Sequence, residues 1–411
     1  MENKIIELFR SYYIRANLNS NLVEDLGNRE VAIWPFNKQT LIRHLSFKDV
    51  QNLKKFLLKN VPVHLYYSIA KYEIPSSTNM EDKRLIEAEV VFDIDIDHVN
   101  TSCKMDHDIW ICKACNNTGL GFIEKCNKCG SLTIDKKSFV CNNCLEVAKN
   151  EVIKLIDDFL IGDFGLSKKD IRIFFSGNRG YHVHVINREF SLLDSRARNM
   201  IVDYVKGISV KMQFKELLKK KKLILGGINS KGFLGRLAET IYDKINNRTI
   251  NDWKNFGLDE DKINKIQEIK NQILSELKRD KCNYSFLKTF GKLKEKFIQE
   301  CIREVAVDID ERVTVDVHRL IRYPNSLHGK TALRVTPVDY ANIYNFDPFT
   351  DSLAFLKGSV KISYKSKRKF PKITMNNEDY DLNTLEGKEI PLYLGLYLYL
   401  SGHANIIEFN I

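Results

Sequence analysis

The feature that most constrains this chain is a run of alternating apolar and acidic residues between positions 88 and 98. Side chains two apart in a strand point to the same face, so the run predicts a strand with Asp93, Asp95 and Asp97 on one side and Phe92 and Ile94 towards a core. Neighbouring carboxylates repel one another and favour a cation between them, and oxygen ligands suit Mg²⁺ or Mn²⁺. Such ions are often shared with substrate phosphates, so the run is typical of a nucleotidyl-transfer site. The alternatives are an exposed acidic strand edge or a calcium site.

Composition narrows the class of protein. The chain has 411 residues, of which 44% are hydrophobic, enough for two or three domains with a substantial core. The net charge of +11 indicates a polyanionic partner such as nucleic acid, or simply a lysine-rich composition. The first residues lack the apolar stretch of a signal peptide, and the apolar block Pro391–Leu400 is too short to span a bilayer. We therefore expect a soluble, cytoplasmic protein that is not associated with a membrane.

The periodicity of the chain indicates mixed helices and strands. Strands are predicted at 64–69, 89–96, 171–175 and 181–186, and a helix is predicted from about Leu145 to Leu160. Residues 191–304 are charged and helical in pattern, which suggests an inserted helical domain. Within them, the lysine run 219–222 predicts a solvated helix end, with a phosphate contact as the alternative.

A glycine-rich turn at 176–180 joins two of these strands. Its backbone amides could cradle an anion, and Arg179 supplies a forked donor for phosphate oxygens. Ser176 adds a hydroxyl and His182 an imidazole at the start of the next strand. Most such turns only connect strands, but the neighbouring acidic strand favours a functional interpretation.

A third group lies between residues 305 and 331. Alternation predicts a strand over 305–317 that carries Asp308, Asp310 and Asp316 on one side. A turn rich in basic and polar residues follows, with Arg319, Arg322, His328 and Lys330. Acids followed by cations suit a metal-bound triphosphate, but the spacing does not decide which acid is the ligand.

The cysteines indicate zinc. Six of the nine lie in Cys-x-x-Cys pairs, a spacing that favours zinc over disulfides in a chain without an export signal. Cys112, Cys115, Cys126 and Cys129 alone have the spacing of a zinc ribbon. Cys282 and Cys301 are unpaired by spacing and are expected to be ordinary buried thiols.

Taken in order, these motifs resemble the catalytic small subunit of archaeal and eukaryotic DNA primases, with the archaeal form closer. The resemblance rests on the FDID strand, the SGxRGxH turn, the stretch VTxDVxRLIRxPxSLHGKT, and an early motif formed by Asn28–Ile33 and Leu41–Phe47. It covers roughly residues 25–100, 141–190 and 305–340. The fold it implies is a mixed α/β, archaeo-eukaryotic primase-like catalytic core with a zinc-binding insertion and a helical insertion.

The resemblance assigns roles residue by residue. It implies that Asp93, Asp95 and Asp310 are the catalytic acids that hold two Mg²⁺ or Mn²⁺ ions. The residues that it places near the triphosphate of the incoming nucleotide are Arg43, Ser176, Arg179, His182, Arg322 and His328. Two positions depart from the family pattern: Asn178 stands where some members have arginine, and Arg322 stands where others have lysine.

The resemblance also implies a zinc knuckle made of a cysteine, a nearby histidine and a Cys-x-x-Cys pair that opens a helix. Cys103, His107, Cys141 and Cys144 match this pattern. The ribbon cysteines would then form a second zinc site inserted within the knuckle. Both zinc ions are expected to be structural, because four ligands close each site.

The implied organisation is a discontinuous core at 1–100, 145–190 and 305–365, a zinc-binding insertion at 101–144, a helical insertion at 191–304 and a C-terminal segment at 366–411. The implied activity is synthesis of short RNA, or DNA, primers from NTPs on a single-stranded DNA template. The implied partner is a large regulatory subunit with an iron–sulfur domain. The alternatives are a related primase-polymerase acting in repair and a catalytically idle, zinc-containing nucleic-acid-binding module.

Overall fold

The computed structural model describes residues 2–18, 21–36, 40–97, 99, 101–217, 219, 224–365 and 370–410. The chain divides into two compact units. Unit 1 comprises Met1–Val152, Lys168–Asp194 and Arg312–Ile411, and unit 2 comprises Ile153–Ser167 and Ser195–Glu311. Each unit is described by itself.

The α-helices of the described residues are α1 (Glu2–Arg15), α2 (Val50–Lys59), α3 (Lys104–His107), α4 (Asn142–Lys154), α5 (Arg188–Ser191), α6 (Ser195–Val205), α7 (Ile208–Leu217), α8 (Phe233–Asn247), α9 (Ile250–Phe256), α10 (Glu260–Glu268), α11 (Lys270–Leu277), α12 (Lys294–Val305), α13 (Glu311–Val315), α14 (Pro348–Asp351) and α15 (Leu392–Leu400). A π-helical segment, Leu155–Ile161, continues α4.

The strands are β1 (Val31–Pro35), β2 (Ile42–Leu45), β3 (Pro62–Ser68), β4 (Ala70–Tyr72), β5 (Leu85–Ala88), β6 (Val90–Asp95), β7 (Ile109–Cys112), β8 (Thr118–Leu120), β9 (Ile134–Lys137), β10 (Ile171–Phe175), β11 (Gly180–Val185), β12 (Ile224–Gly226), β13 (Lys281–Asn283), β14 (Leu320–Arg322), β15 (Thr336–Val338), β16 (Ser359–Tyr364), β17 (Lys372–Met375), β18 (Glu378–Asp381), β19 (Glu389–Pro391) and β20 (Ala404–Asn410). The predicted mixture of helices and strands is confirmed.

Unit 1 contains two four-stranded antiparallel sheets. One has the strand order β14-β3-β1-β2 and the other the order β15-β10-β11-β6. Strands β6 and β11 are rich in valine and aromatic residues, and Phe92, Ile94, Tyr181 and Val183 are fully buried. β-Branched and aromatic side chains suit such a pleated, covered surface. These side chains form the buried face of the second sheet, and Asp93, His182 and His184 lie on its other face.

The C-terminal part of unit 1 forms a smaller three-stranded sheet, β19-β16-β20, with α15 packed on it. Pro391 is the N-cap residue of α15, and proline is tolerated at a helix start. A separate sheet, β8-β7-β9, lies in the cysteine-rich stretch.

Unit 2 is mainly helical and has an aromatic core. Trp253 packs against Phe290 and Phe297, whose rings are stacked at 4.4 Å. The guanidinium of Arg248 lies 4.9 Å from the centre of the Trp253 ring, a cation–π contact. The predicted helical insertion at 191–304 falls almost entirely within this unit. Lys220–Lys222 lie outside the described residues, so the two interpretations of the lysine run stay predictions.

The strand predicted over 305–317 is wrong. Helix α12 ends at Val305, and Glu311–Val315 form helix α13. Val313 and Thr314 are both buried, although a half-buried strand would place neighbouring residues on opposite faces. Tertiary burial of consecutive residues here overrides the strand preference of the β-branched side chains.

Among the helices of the described residues, none has the length and apolar character that a membrane span requires.

Candidate active site

Strand β6 presents its acids on one face, as the alternation predicts. Phe92 and Ile94 are fully buried on the other face, and the side chain of Asp93 is 21% exposed. Asp95 ends the strand, and its Oδ1 accepts a hydrogen bond of 2.9 Å from the backbone N–H of Asp97. The first two acids thus have rigid backbone positions, and the third lies in the turn that follows.

The glycine-rich turn brings its side chains beside these acids. In strand β11, Gly180 lies opposite Asp95 and His182 lies opposite Asp93. A Cβ atom on Gly180 would lie 1.8 Å from the carbonyl oxygen of Ile94, so glycine permits the close approach of the two strands. Ser176 Oγ accepts a 3.3 Å hydrogen bond from the Gly180 N–H, which closes the turn. Gly177 has a φ of 83°, a conformation that favours glycine.

Two histidines follow each other along one face of β11. His182 is 5% exposed, and burial lowers its pKa well below the usual value, so its ring is neutral at pH 7. Its Nε2 lies 3.7 Å from Asp93 Oδ1, and its buried Nδ1 has no hydrogen-bond partner among the described residues. His184 Nδ1 lies 2.7 Å from Glu89 Oε2, and Glu89 also pairs with the buried guanidinium of Arg29. His182 therefore lies beside the carboxylate of Asp93, and the neighbouring His184 is paired with Glu89.

A second group of residues beside the acids, which we call the basic wall, contains Arg322 and His328. Arg322, at the end of β14, lies over the ring of Tyr66 at 5.1 Å from its centre and contacts His64 Nδ1 at 2.7 Å. Burial is the main reason that the pKa of Arg322 is lowered. His328 is 3% exposed, and burial followed by the charge of Arg322 lowers its pKa well below the ordinary value. This wall therefore combines a cation with neutral imidazole.

Both walls line one cleft of about 340 Å³ in unit 1. Its lining residues are Tyr66, Asp93, Asp95, Asp97, Ser176, Asn178, Arg179, His182, Arg319, Leu320, Ile321, Arg322, His328 and Lys330. Its size is that of an ordinary ligand pocket. The carboxylates form an all-oxygen donor set, which fits Mg²⁺ or Mn²⁺, and the guanidinium groups fit phosphate oxygens.

The structure brings most of the predicted site residues into this cleft. Asp93, Asp95, Ser176, Arg179, His182, Arg322 and His328 all line it. Arg43 does not line the cleft. Its guanidinium makes two hydrogen bonds, of 2.9 and 3.2 Å, to the carboxylate of Glu30. Glu30 is fully buried and also contacts Lys83 Nζ at 3.1 Å. Asp310 belongs to unit 2, so its role as the third metal ligand stays a prediction.

The sequence-based list of site residues omitted several groups that line the cleft. Arg319 and Lys330, which the sequence marks only as cations beside the third group of acids, both line the cleft. Asp97 forms an ion pair with Arg179. Asp97 lines the cleft with the other two acids, although it lies in the turn after β6 and not on the strand. The spacing gives no sign of its pairing with a residue 82 positions away.

Seven of the nine cysteines and one histidine form two groups, with the members predicted for the knuckle and for the ribbon. In the first, Cys103, His107, Cys141 and Cys144 place their ligand atoms within 4.8 Å of one another. His107 Nε2 lies 3.4 Å from both Cys141 Sγ and Cys144 Sγ, and its Nδ1 lies 2.8 Å from Asp108 Oδ1. A carboxylate on the second nitrogen is the usual way to orient a metal-binding histidine.

The second group comprises Cys112, Cys115, Cys126 and Cys129, also within 4.8 Å. It lies at the end of the β7–β8–β9 sheet and shares a small core with Trp110. Thiolate and imidazole are the donors that zinc prefers in structural sites, so each group could hold one zinc ion. Cys282 and Cys301 are fully buried, which confirms their interpretation as buried thiols.

Comparison with known proteins identifies the family. The family model described as DNA primase small subunit matches residues 132–340. The DNA primase small subunit PriS of Picrophilus torridus is 33% identical over 423 residues, covering 99% of this chain and 98% of the relative. The PriS proteins of Nitrosopumilus maritimus and Saccharolobus solfataricus are 30% and 31% identical, over 97% of this chain in each case and 96% and 93% of the relatives. As its ordered motifs predict, the chain belongs to the DNA primase small subunit family.

Proposed function

We propose that this chain is the catalytic subunit of a DNA primase, a nucleotidyltransferase that joins ribonucleotides into short primers on a single-stranded DNA template. The observation that carries this proposal is the cleft in which Asp93 and Asp95 face Arg179, Arg322 and the buried His328. A nucleotidyl-transfer site needs carboxylates for divalent ions and cations for a triphosphate, and this cleft offers both.

Asp93 and Asp95 would hold the divalent ions, together with Asp310 as the third carboxylate. Such ions, when bound, lower the pKa of an attacking 3′-hydroxyl and neutralise the charge of the α-phosphate and of the leaving pyrophosphate. The backbone N–H of Asp97 orients the Asp95 carboxylate through its 2.9 Å hydrogen bond. The strand backbone and this hydrogen bond would hold the carboxylates of Asp93 and Asp95 in position before any substrate binds.

The remaining site residues would orient the nucleotide. Arg322 and Arg179 supply charge-assisted hydrogen bonds to phosphate oxygens, and Ser176 supplies a hydroxyl. His182 and His328 are held neutral by burial, so each donates through one ring nitrogen and adds no charge. We also propose that Arg43 acts near the triphosphate. In this structure its guanidinium is hydrogen-bonded to Glu30.

The catalytic core would have the archaeo-eukaryotic primase-like fold, interrupted by the zinc-binding and helical insertions. The two zinc ions would act as scaffolding, because four protein ligands leave no open coordination position. The relatives are named small subunits, which supports a complex with a larger subunit. By the resemblance to primases, that partner would be a regulatory subunit with an iron–sulfur domain. We place the protein in the cytoplasm, at the nucleoid.

The test is synthesis on single-stranded DNA without any pre-existing primer, in parallel reactions with NTPs, with dNTPs and with no template. A primase gives short products from NTPs that depend on the template. Synthesis that requires a pre-annealed primer would instead indicate a primase-polymerase of repair. DNA binding without nucleotide incorporation, in the presence of Mg²⁺ or Mn²⁺, would indicate a catalytically idle binding module and contradict the proposal.

A further inference from the structure

His64 joins the two segments that form the basic wall of the cleft. It lies on β3, opposite Trp34 of β1, and is 8% exposed. Its Nδ1 atom lies 2.7 Å from Arg322 Nη1 and accepts a 3.1 Å hydrogen bond from the backbone N–H of Gly329. Strand β14 and the loop after it are therefore held by the same imidazole nitrogen.

The two donors define the state of this imidazole. A guanidinium and a backbone amide can only donate, so Nδ1 carries no hydrogen and Nε2 carries the proton of the neutral ring. Burial, with Arg322 and Lys330 nearby, lowers the pKa of His64 to about 2. His64 is therefore a neutral acceptor at any pH at which an enzyme of this kind works.

The loop from His328 to Lys330 lies tightly against β3. A Cβ atom on Gly329 would lie 1.9 Å from Val63 Cγ1 and 2.7 Å from the Val63 carbonyl oxygen. The rings of His64 and His328 meet edge to face with their centres 4.9 Å apart. His328 Nδ1 in turn accepts a 3.2 Å hydrogen bond from the Lys330 N–H, which leaves Nε2 as the donor atom of His328.

We propose that His64 is a positioning residue for nucleotide binding: its Nδ1 atom orients the Arg322 guanidinium and holds the loop that carries His328 and Lys330. This inference rests on the proposed function, because Arg322 and His328 are taken as triphosphate ligands. His64 itself does not line the cleft, so its effect passes through its two hydrogen-bond donors. Loss of the His64 imidazole would displace the side chains that bind the triphosphate, while Asp93 and Asp95 would keep their positions.

Two substitutions separate positioning from packing. His64→Leu keeps the approximate size of the side chain but removes the acceptor. In His64→Asn, the amide oxygen stands at the same number of bonds from Cα as Nδ1 and can accept the same two hydrogen bonds. His403→Leu is the matched control, because its ring packs on Phe139 at 5.2 Å, away from the cleft residues.

The measurements are the affinity for Mg·ATP by calorimetry, the steady-state KM and kcat of primer synthesis, and thermal melting. We expect His64→Leu to weaken ATP binding and to raise KM by about ten- to a hundredfold, the range of one lost charge-assisted contact. We expect kcat to stay within about threefold, and His64→Asn to restore most of the affinity. His403→Leu should bind ATP like the wild type.

Three results would overturn the inference. These are unchanged ATP affinity in a folded His64→Leu protein, an equal loss in His64→Leu and His64→Asn, or a fall confined to kcat. Failure of the proposed function has a different signature, since the wild type would then make no primers. The calorimetric comparison still tests His64 in that case, and a wild type that binds no ATP would refute both.

Discussion

The buried ion pair between Arg29 and Glu89 gives a stability prediction that can be worked out in numbers. The Arg29 side chain is 1% exposed and that of Glu89 is 12% exposed, so solvent screens this pair little. Burial alone would raise the pKa of Glu89, but the charge of Arg29 and the hydrogen bond with His184 lower it from the ordinary 4.5 to about 2. One pKa unit corresponds to about 1.4 kcal/mol, so ionised Glu89 contributes about 3 kcal/mol to folding at neutral pH.

We expect Glu89→Gln to lower the free energy of unfolding by about 3 kcal/mol at pH 7. This lies at the lower end of the range for breaking a buried ion pair, about 3–5 kcal/mol, because Arg29 keeps hydrogen bonds to the carbonyl oxygens of Glu24, Ser68 and Ile69. The measurement is urea denaturation of both proteins. Glu24→Gln, which breaks the exposed pair with Arg172, is the control and should cost less than about 1 kcal/mol.

The pH dependence of this stability difference tests whether Arg29 keeps Glu89 ionised. Because the folded pKa of Glu89 is below the unfolded one, its contribution is complete above about pH 4.5 and is lost as the pH falls towards 2. The difference between wild type and Glu89→Gln should therefore shrink to about half by pH 3. A difference below about 1 kcal/mol at pH 7, or one that does not change between pH 5 and pH 3, would show that the carboxylate is not held ionised by Arg29.

Two further predictions concern nucleotide and zinc binding. Arg179→Ala should weaken NTP binding by about 1.5–3 kcal/mol, the value of one charge-assisted hydrogen bond. Single-stranded DNA binding in filter assays should not change. Weaker DNA binding with intact NTP affinity would contradict this role. Elemental analysis should give about two zinc ions per chain, and deletion of residues 110–132, which carry the ribbon cysteines and Trp110, should remove one. A single zinc ion that survives this deletion would show that the ribbon does not bind zinc.

Local patterns in the sequence were sufficient to predict much of the candidate site. The acidic alternation placed Phe92 and Ile94 in the core and Asp93 and Asp95 on the opposite face, because the period of two in a strand is fixed by backbone geometry. Cys-x-x-Cys pairs likewise keep their two sulfur atoms together, so the spacing predicted the ribbon group, whereas the members of the knuckle followed from the resemblance to primases.

Features that depend on distant pairing were not predicted. His64 contacts Arg322 across 258 positions, and no pattern near either residue indicates that contact. Arg43 pairs with Glu30 because β1 and β2 are neighbours in a sheet whose order the sequence does not state. The helix at Glu311–Val315 has the β-branched composition of a strand, and only its tertiary burial decides against one.

The central claim is that the acids of β6 hold the ions for nucleotidyl transfer, and Asp95→Asn tests it most directly. The substitution keeps the shape of the side chain and removes the charge that offsets a divalent ion. We expect primer synthesis from NTPs on single-stranded DNA to fall at least about a hundredfold, or roughly 3 kcal/mol of transition-state stabilisation, with an unchanged melting temperature. A folded Asp95→Asn protein that makes primers at nearly the wild-type rate would contradict the account.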